Sequence, residues 1–189
     1  MPRSARIIPL EGYLHVVCRG NNRRKIFYKP RDFKIYLKQL IKVKCEEGIW
    51  LLHYCLMPNH VHFLLGVNKE SNLSRFMQRL NVKYSFYFQK RRAFVGHLWQ
   101  GRFKSKIIKD ELYFLQCGKY IELNPVRANL VAAPEEYTYS SYSFYALGVE
   151  NDLIDEDPLY RALDERREVR QAMYRKMIFD QALTERWKT

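Results

Sequence analysis

The feature that most constrains this chain is a pair of apolar runs, IWLLHYCLM at residues 49–57 and HVHFLLGV at residues 60–67. Only Pro58 and Asn59 separate them, and this dipeptide favours a turn. Two strand-like runs joined by a two-residue turn predict an antiparallel β-hairpin. The fold must therefore be built around a sheet whose strands present alternate side chains to opposite faces.

Further elements are predicted on both sides of the hairpin. Upstream, YLHVVCR at residues 13–19 is β-branched and aromatic and runs into the turn signal GNN, so it predicts a first strand. Residues 31–48 carry apolar side chains at helical spacing and end at a glycine, which predicts a first helix. Downstream, residues 72–92 repeat the helical pattern with a basic flank.

A short strand at residues 103–108 precedes a third helix, which we expect to begin at Asp110 and to end at Asn124, before Pro125. The order is then β-α-β-β-α-β followed by α. This order predicts an α+β fold: a ferredoxin-like βαββαβ unit with an antiparallel sheet, an added C-terminal helix and a peripheral helical tail. We expect one domain over residues 1–133, followed by a Tyr/Ser-rich segment and helical extension over residues 134–189.

The composition indicates which class of binding partner to expect. The 189-residue chain has 33 basic and 20 acidic side chains, a formal net charge of +13, which predicts a polyanionic partner. Nucleic acid is the first candidate and an anionic membrane surface the second. No apolar run approaches the roughly 20 residues that span a bilayer, and the N-terminus lacks the apolar core of a signal peptide, so we expect a cytoplasmic protein. Four scattered cysteines form no C-x-x-C pair, and we expect them to be small buried residues.

Two histidines stand one residue apart at the start of the second hairpin strand. Alternation places His60, His62 and Leu64 on one face of the strand, and the apolar set at residues 61, 63, 65 and 67 on the other. The apolar face should pack on the helices, so both imidazoles should point away from them. This spacing allows a shared cation, although most such pairs are surface or hydrogen-bonded histidines, and a divalent ion needs a third ligand.

A structural zinc site is a rival reading of the same neighbourhood. His53 and Cys55 alternate on the partner strand and could join His60 and His62 as four ligands. All four groups would have to share one face, and the strand register decides that.

The third helix carries a stripe at i, i+4, i+7 and i+11, formed by Tyr113, Cys117, Tyr120 and Asn124. A metal near the Asn124 amide oxygen would lie within reach of a substrate held against the Tyr120 hydroxyl. The plain alternative is the buried stripe of an amphipathic helix with Asn124 as its cap.

Five motifs occur in order over about residues 10–147: YLHVVCRGNNRRKIF, MPNHVHFLL, GHLWQGRFKS, YIELNPVRANLV and YTYSSYSFY. In these motifs the chain resembles the REP-associated tyrosine transposases and, more distantly, the HUH single-tyrosine transposases of small insertion sequences. The resemblance implies a DNA strand transferase that cuts single-stranded DNA next to palindromic hairpins and forms a 5′-phosphotyrosine.

The resemblance also implies roles for individual residues. His60 and His62 match the metal ligands, Tyr120 matches the nucleophile, and Asn124 matches the position that completes the metal site. Some distant relatives have the longer glutamine at that last position. The implied cofactor is a divalent metal ion, Mg²⁺ or Mn²⁺, and the implied partner is single-stranded or hairpin DNA.

Basic and aromatic residues near the first and fourth strands are the expected DNA contacts. Cations there could follow phosphates, and Trp99 and Phe103 could stack on unpaired bases. The alternatives are a solvated surface for each cation and a core anchor for Trp99. The predicted cationic contacts are Arg19, Arg23, Arg24, Lys25, Arg102, Lys104 and Lys106, with Lys109 beside them.

Two other functions stay open. The chain could be a silent binder of DNA or RNA hairpins, because ferredoxin-like sheets serve as nucleic-acid platforms. It could also be a replication initiator or relaxase, with similar chemistry and a different outcome. The pattern does not decide between monomer and homodimer, or whether Tyr120 serves its own histidines or those of a partner.

Overall fold

The computed structural model describes residues 7–180. Its centre is a four-stranded sheet with the order β2-β3-β1-β4, in which all neighbours are antiparallel. This order, together with the alternation of strands and helices, confirms the predicted ferredoxin-like arrangement. The strands are β1 (Gly12–Arg19), β2 (Trp50–Met57), β3 (His60–Val67) and β4 (Lys104–Ile108).

One face of the sheet is covered by α1 (Pro30–Glu46) and α2 (Leu73–Arg92). Their apolar sides meet inward-facing strand residues in a continuous buried cluster that includes Val16, Phe63 and Tyr84. These positions alternate along the strands as the sequence predicts, because burial on one face fixes the register of the hairpin.

The other face of the sheet is covered by α3 (Glu111–Glu122). Phe114, Cys117 and Ile121 form a smaller buried cluster with Cys55 and Leu64 of the central hairpin. The histidine pair lies on this face, away from α1 and α2, as predicted. The helix begins where expected, because the Asp110 side chain accepts a hydrogen bond of 2.7 Å from the Tyr113 N–H.

The predicted end of this helix is wrong. The α3 helix ends at Glu122, and a further turn, α4 (Asn124–Arg127), follows directly. Pro125 occupies the first turn of α4, where a missing N–H costs nothing, so the proline continues the helical path. As a result, residues up to Arg127 remain on the tyrosine side of the sheet.

The chain after residue 133 lies along β2, which is an edge strand. The Leu56 N–H donates to the Tyr139 carbonyl at 2.9 Å, and the Ser141 N–H donates to the Tyr54 carbonyl at 3.0 Å, so this segment occupies hydrogen-bonding groups that the edge would otherwise expose. The helices here are α5 (Tyr142–Leu147), α6 (Pro158–Arg161) and α7 (Arg167–Phe179).

The tail is more deeply packed than the sequence pattern suggests. Tyr174 and Ile178 are the buried positions of α7, whereas Met173 is 43% exposed. The division of the chain at residue 133 stays a prediction.

Two general expectations can also be compared with the structure. Cys18, Cys55 and Cys117 are buried, but Cys45 is exposed, so the expectation of four buried cysteines is wrong for one of them. Across residues 7–180, no helix combines the length and the apolar character required to cross a bilayer.

Candidate active site

Three histidines lie together on the α3 face of the central strands. His15 is on β1, and its Nε2 atom lies 3.0 Å from Nδ1 of His62, with the two rings nearly parallel. The ring of His60 lies 4.8 Å from that of His62, measured between centroids. Strand alternation and the pairing of β1 with β3 therefore bring His15 together with the two histidines that the sequence analysis singled out.

Hydrogen bonds fix how His60 presents its ring. Its Nδ1 lies 2.6 Å from the side-chain oxygen of Asn59, which can only accept, so Nδ1 carries the proton. The Nε2 lone pair of His60 is then available to a cation. For His62 to ligate through Nε2 in the same way, its Nδ1 must donate to His15, a common arrangement in which a ligand imidazole is oriented by its second nitrogen.

The three imidazoles are held in the neutral form. Burial and the charge of Lys106 lower the pKa of His15 to about 4, and burial and Arg19 lower the pKa of His60 to about 4. Burial and its charged neighbours lower the pKa of His62 well below its ordinary value. Neutral imidazole is the form that binds metals, so the donor atoms suit a divalent cation at neutral pH.

The helix places Tyr120 against this cluster. Its half-buried ring lies 5.5 Å from that of His62 and 5.9 Å from that of His15, with both pairs edge-to-face. Asn124 lies one turn further along, and its amide nitrogen donates to the Tyr120 carbonyl at 3.0 Å, so it is tied to the same turn. The structure thus brings Tyr120 and His62 together within one chain.

The zinc alternative does not fit the structure. His53 is buried, and its ring nitrogens lie 2.9 Å from a Glu122 oxygen and 3.1 Å from an Asp157 oxygen, so neither is free to ligate. Within residues 7–180, no group of three or more histidine, cysteine, aspartate or glutamate side chains could hold a metal. A divalent ion here would have to rely on the histidine pair and an amide or substrate oxygen, which suits Mg²⁺ or Mn²⁺.

The predicted cations lie at the end of β1, on the loop that follows it, and along β4. Arg19 is half-buried opposite His60, while Arg23, Arg24 and Lys25 are exposed on the loop after β1. This loop packs on the turn before His60, because the Ile26 N–H donates to the Pro58 carbonyl at 2.7 Å. The β4 cations Lys104 and Lys106 are exposed, as are Arg102 and Lys109 on either side of the strand.

The loop geometry depends on Gly20, since a Cβ there would overlap the Arg24 carbonyl oxygen.

Two cations on the basic flank of α2 are paired with carboxylates. Arg75 and Arg79 on α2 pair with Glu47, and Arg79 pairs also with Glu46. The loop after β1 and strand β4 therefore carry most of the candidate phosphate contacts.

The expectation that Trp99 and Phe103 stack on bases is not supported. Trp99 is 9% exposed and Phe103 is 7% exposed, and both belong to the main core cluster. The Trp99 indole N–H donates to the Asn81 carbonyl at 3.1 Å. Trp99 is thus the core anchor under the loop that the sequence left as an alternative, and neither ring is offered to a base.

Sequence reasoning missed Arg127. Its guanidinium lies 5.3 Å from the centroid of the Tyr120 ring, close enough for a cation–π contact. The signal was available, because residues 120, 124 and 127 follow the i, i+4, i+7 spacing of one helical face. The expectation that Pro125 stops the helix concealed it.

The ferredoxin-like sheet thus carries a neutral histidine pair beside a tyrosine on a helix. The family model described as transposase, IS200-like, matches residues 10–124, which is more than half of the chain. The chain belongs to the IS200-like transposase family.

One solved structure supports the fold. The chain is similar to a REP-associated tyrosine transposase bound to a REP hairpin, with 17% identity, a TM-score of 0.66 and coverage of 100% of both chains. It is less similar to a putative transposase from Deinococcus radiodurans R1, with 18% identity, a TM-score of 0.45 and coverage of 64% of this chain and 96% of that one. Among curated protein sequences, none matches the chain.

Proposed function

We propose that the chain is a metal-dependent single-strand DNA endonuclease and strand transferase that acts beside palindromic hairpins, with Tyr120 as the nucleophile. The observation that carries the proposal is the position of Tyr120, whose ring lies 5.5 Å from that of His62 in a chain of the transposase family. The similar structure with a REP hairpin bound makes hairpin DNA the natural partner to test.

The reaction exchanges one phosphoester for another. The Tyr120 hydroxyl oxygen bonds to the scissile phosphorus and loses its proton, and the bond to the 3′ oxygen breaks. That oxygen leaves with the bonding electrons and takes up a proton to become a free 3′-OH. The DNA is left attached through a 5′-phosphotyrosine, and since the ester bond is conserved, a later 3′-OH can attack it without an external energy source.

His60 and His62 would hold the divalent ion, with Asn124 as the candidate third ligand. Such an ion, when bound, would polarise the scissile phosphate and neutralise charge that develops in the transition state. The protein's own contribution is orientation. His15 orients the ring of His62, and Asn59 orients the ring of His60. The α3 helix places Tyr120 beside them.

Arg127 has a role in this proposal. Its cation lies over the Tyr120 ring, where it can attract the phosphate that Tyr120 attacks and stabilise negative charge at the reacting oxygen. The exposed cations of the loop after β1 and of β4 would guide the strand, which makes binding dependent on salt.

The test is a covalent adduct assay. The protein is incubated with a labelled single strand that carries a hairpin, with Mn²⁺ or Mg²⁺, and resolved on a denaturing gel. We expect a labelled protein band for the wild type and for Tyr113→Phe, a matched change on the same helix, and none for Tyr120→Phe. Hairpin binding without any adduct would instead favour a silent hairpin-binding protein.

A further inference from the structure

The side of α3 away from Tyr120 contains a buried carboxylate that the proposed chemistry does not use. Glu122 is 0% exposed, and its two oxygens have three partners. One oxygen lies 2.9 Å from His53 Nδ1 and accepts from the Ser141 hydroxyl at 2.6 Å, and the other accepts from the Tyr174 hydroxyl at 2.8 Å. A charge buried this fully is tolerated only where partners of this kind replace water, so its surroundings are specifically arranged.

The partners of Glu122 come from separate parts of the fold. His53 belongs to β2, Ser141 precedes α5, and Tyr174 belongs to α7. The second nitrogen of His53 lies 3.1 Å from Asp157, whose other oxygen accepts from the Leu159 N–H at 2.7 Å at the start of α6. The network therefore ties α3 to the sheet edge and to the helices of the tail.

The same contact leaves α3 little room to move. Gly118 lies one turn before Glu122 and faces His53, and a Cβ on it would stand 3.1 Å from the His53 ring nitrogen. The absence of a side chain lets the helix approach the ring closely. Two points one turn apart on α3, Gly118 and Glu122, are thus seated against the same imidazole.

Tyr120 and Glu122 lie on opposite sides of the buried α3 positions Cys117 and Ile121. At about 100° per residue, side chains two residues apart on a helix point in directions about 200° apart. Any rotation of α3 about its axis would move Tyr120 relative to the histidines and would pull Glu122 out of its network. Holding Glu122 in place therefore holds the tyrosine in place.

We propose that Glu122 is a positioning residue: with His53, Ser141 and Tyr174 it fixes the rotation of α3 and sets the Tyr120 hydroxyl against the histidine pair. The tail after residue 133 then contributes indirectly to catalysis by supplying two of these partners. This inference rests on the proposed function, since its readout is the tyrosine adduct.

Two buried tyrosines of the tail provide a matched pair of variants. Tyr174→Phe removes a hydroxyl that donates to Glu122, whereas Tyr160→Phe removes one that donates to the Tyr145 carbonyl at 3.0 Å. Both rings are almost fully buried, at 1% and 4% exposure. Only the first change touches the network, so a general loss of packing should affect the two variants alike.

The experiment measures three quantities at a temperature where circular dichroism shows every variant folded. These are the first-order rate of adduct formation at saturating hairpin DNA, the Kd for the hairpin, and the Tm. We expect Tyr174→Phe to lower the rate about tenfold, and Glu122→Gln about a hundredfold, because small displacements of a reacting group have large effects on rate. The Kd should stay within about twofold, since the phosphate contacts lie elsewhere.

Outcomes for the inference and for the proposed function are separable. No adduct from the wild type would refute the proposed function, whatever the variants do. A wild-type adduct, with Tyr174→Phe as fast as wild type or slowed no more than Tyr160→Phe, would overturn the inference alone. A rate loss that follows the loss of Tm equally in both variants would also overturn it, because it would show a role in stability and none in positioning.

Discussion

The chain holds histidines in two contrasting settings on one face of its sheet. His15, His60 and His62 lie beside cations and are kept neutral, because burial and the nearby charges lower their pKa values. His53, on the edge strand, is as buried as His15 and His62. Although burial lowers its pKa, hydrogen bonds to Asp157 and Glu122 raise it to about 9.

The difference shows that neighbours decide the charge of a buried histidine and that burial alone does not. In the first setting, burial together with cations and other histidines keeps the rings neutral, the form that binds a metal. In the second setting, two carboxylates stabilise the protonated His53 ring, and its contacts connect residues that are distant in the chain. We assign the first group to the metal site and the second group to the positioning of α3.

The largest expected effect comes from the neutral group. His60→Ala or His62→Ala should reduce adduct formation by about a thousandfold, because the loss of a ligand removes metal stabilisation worth several kcal/mol. The measurement is the single-turnover rate with Mn²⁺, and hairpin Kd should change by less than about twofold. His97→Ala, in an exposed loop, is the control. A His62→Ala rate above a tenth of wild type would contradict the assignment.

The charged group should govern stability at high pH. With an unfolded pKa near 6.5 and a folded pKa of about 9, His53 stabilises the fold fully below about pH 6.5 and loses that contribution as pH rises through 9. The total is roughly 3 kcal/mol, from about 1.4 kcal/mol per pKa unit. Urea unfolding at pH 6.5, 8 and 9.5 measures it.

The stability contribution of the neutral group changes with pH in the opposite direction. Its pKa values are lowered by folding, so its contribution is complete above about pH 6.5 and is lost as the pH falls through about 4. For the charged group, a free energy of unfolding that is constant from pH 6.5 to 9.5 would show that His53 is not held as an imidazolium.

A smaller effect is expected where one histidine supports another. His15→Ala should weaken Mn²⁺ activation ten- to a hundredfold, because it removes the partner that orients His62. His15→Gln keeps a hydrogen-bonding group and should recover part of the loss. The measurement is the Mn²⁺ concentration at half-maximal adduct rate, with Tyr13→Phe on the same strand as the control. Equal Mn²⁺ dependence in wild type and His15→Ala would remove His15 from the site.

The smallest effect concerns the cations that keep the first group neutral. Lys106→Gln should lower the slope of log Kd against log salt for the hairpin by about 0.7 to 0.9, the value of one phosphate contact. It should also raise the pKa of His15 towards its ordinary value, since burial and Lys106 together lower it. Fluorescence titrations at several salt concentrations and proton NMR provide the two measurements. Lys42→Gln, an exposed change on α1, should alter neither.

Local patterns predicted the sheet and the first group well. The alternation around His60 and His62, the two-residue turn and the Asp110 cap depend on neighbours within a few residues, so the sequence could fix them. The resemblance assigned Tyr120, and the structure places it beside His62.

The second group could not be predicted, because its contacts are distant in the chain. His53 meets Glu122 and Asp157 across 69 and 104 residues, so no local pattern distinguishes it from a metal ligand. Trp99 was ambiguous for a related reason, since a basic, aromatic loop looks alike whether its ring faces solvent or the core. Arg127 was missed because the rule that proline stops helices does not hold when the proline begins a new turn.

The central claim is that Tyr120 attacks DNA with the help of the histidine pair, His60 and His62. The most direct measurement is mass spectrometry of the covalent adduct after nuclease and protease digestion, to locate the phosphorylated side chain among the 14 tyrosines. The account predicts a nucleotide-modified peptide containing Tyr120, formed by the wild type and absent from His62→Ala and from metal-free reactions. A modification on any other tyrosine, or an adduct formed without metal, would contradict it.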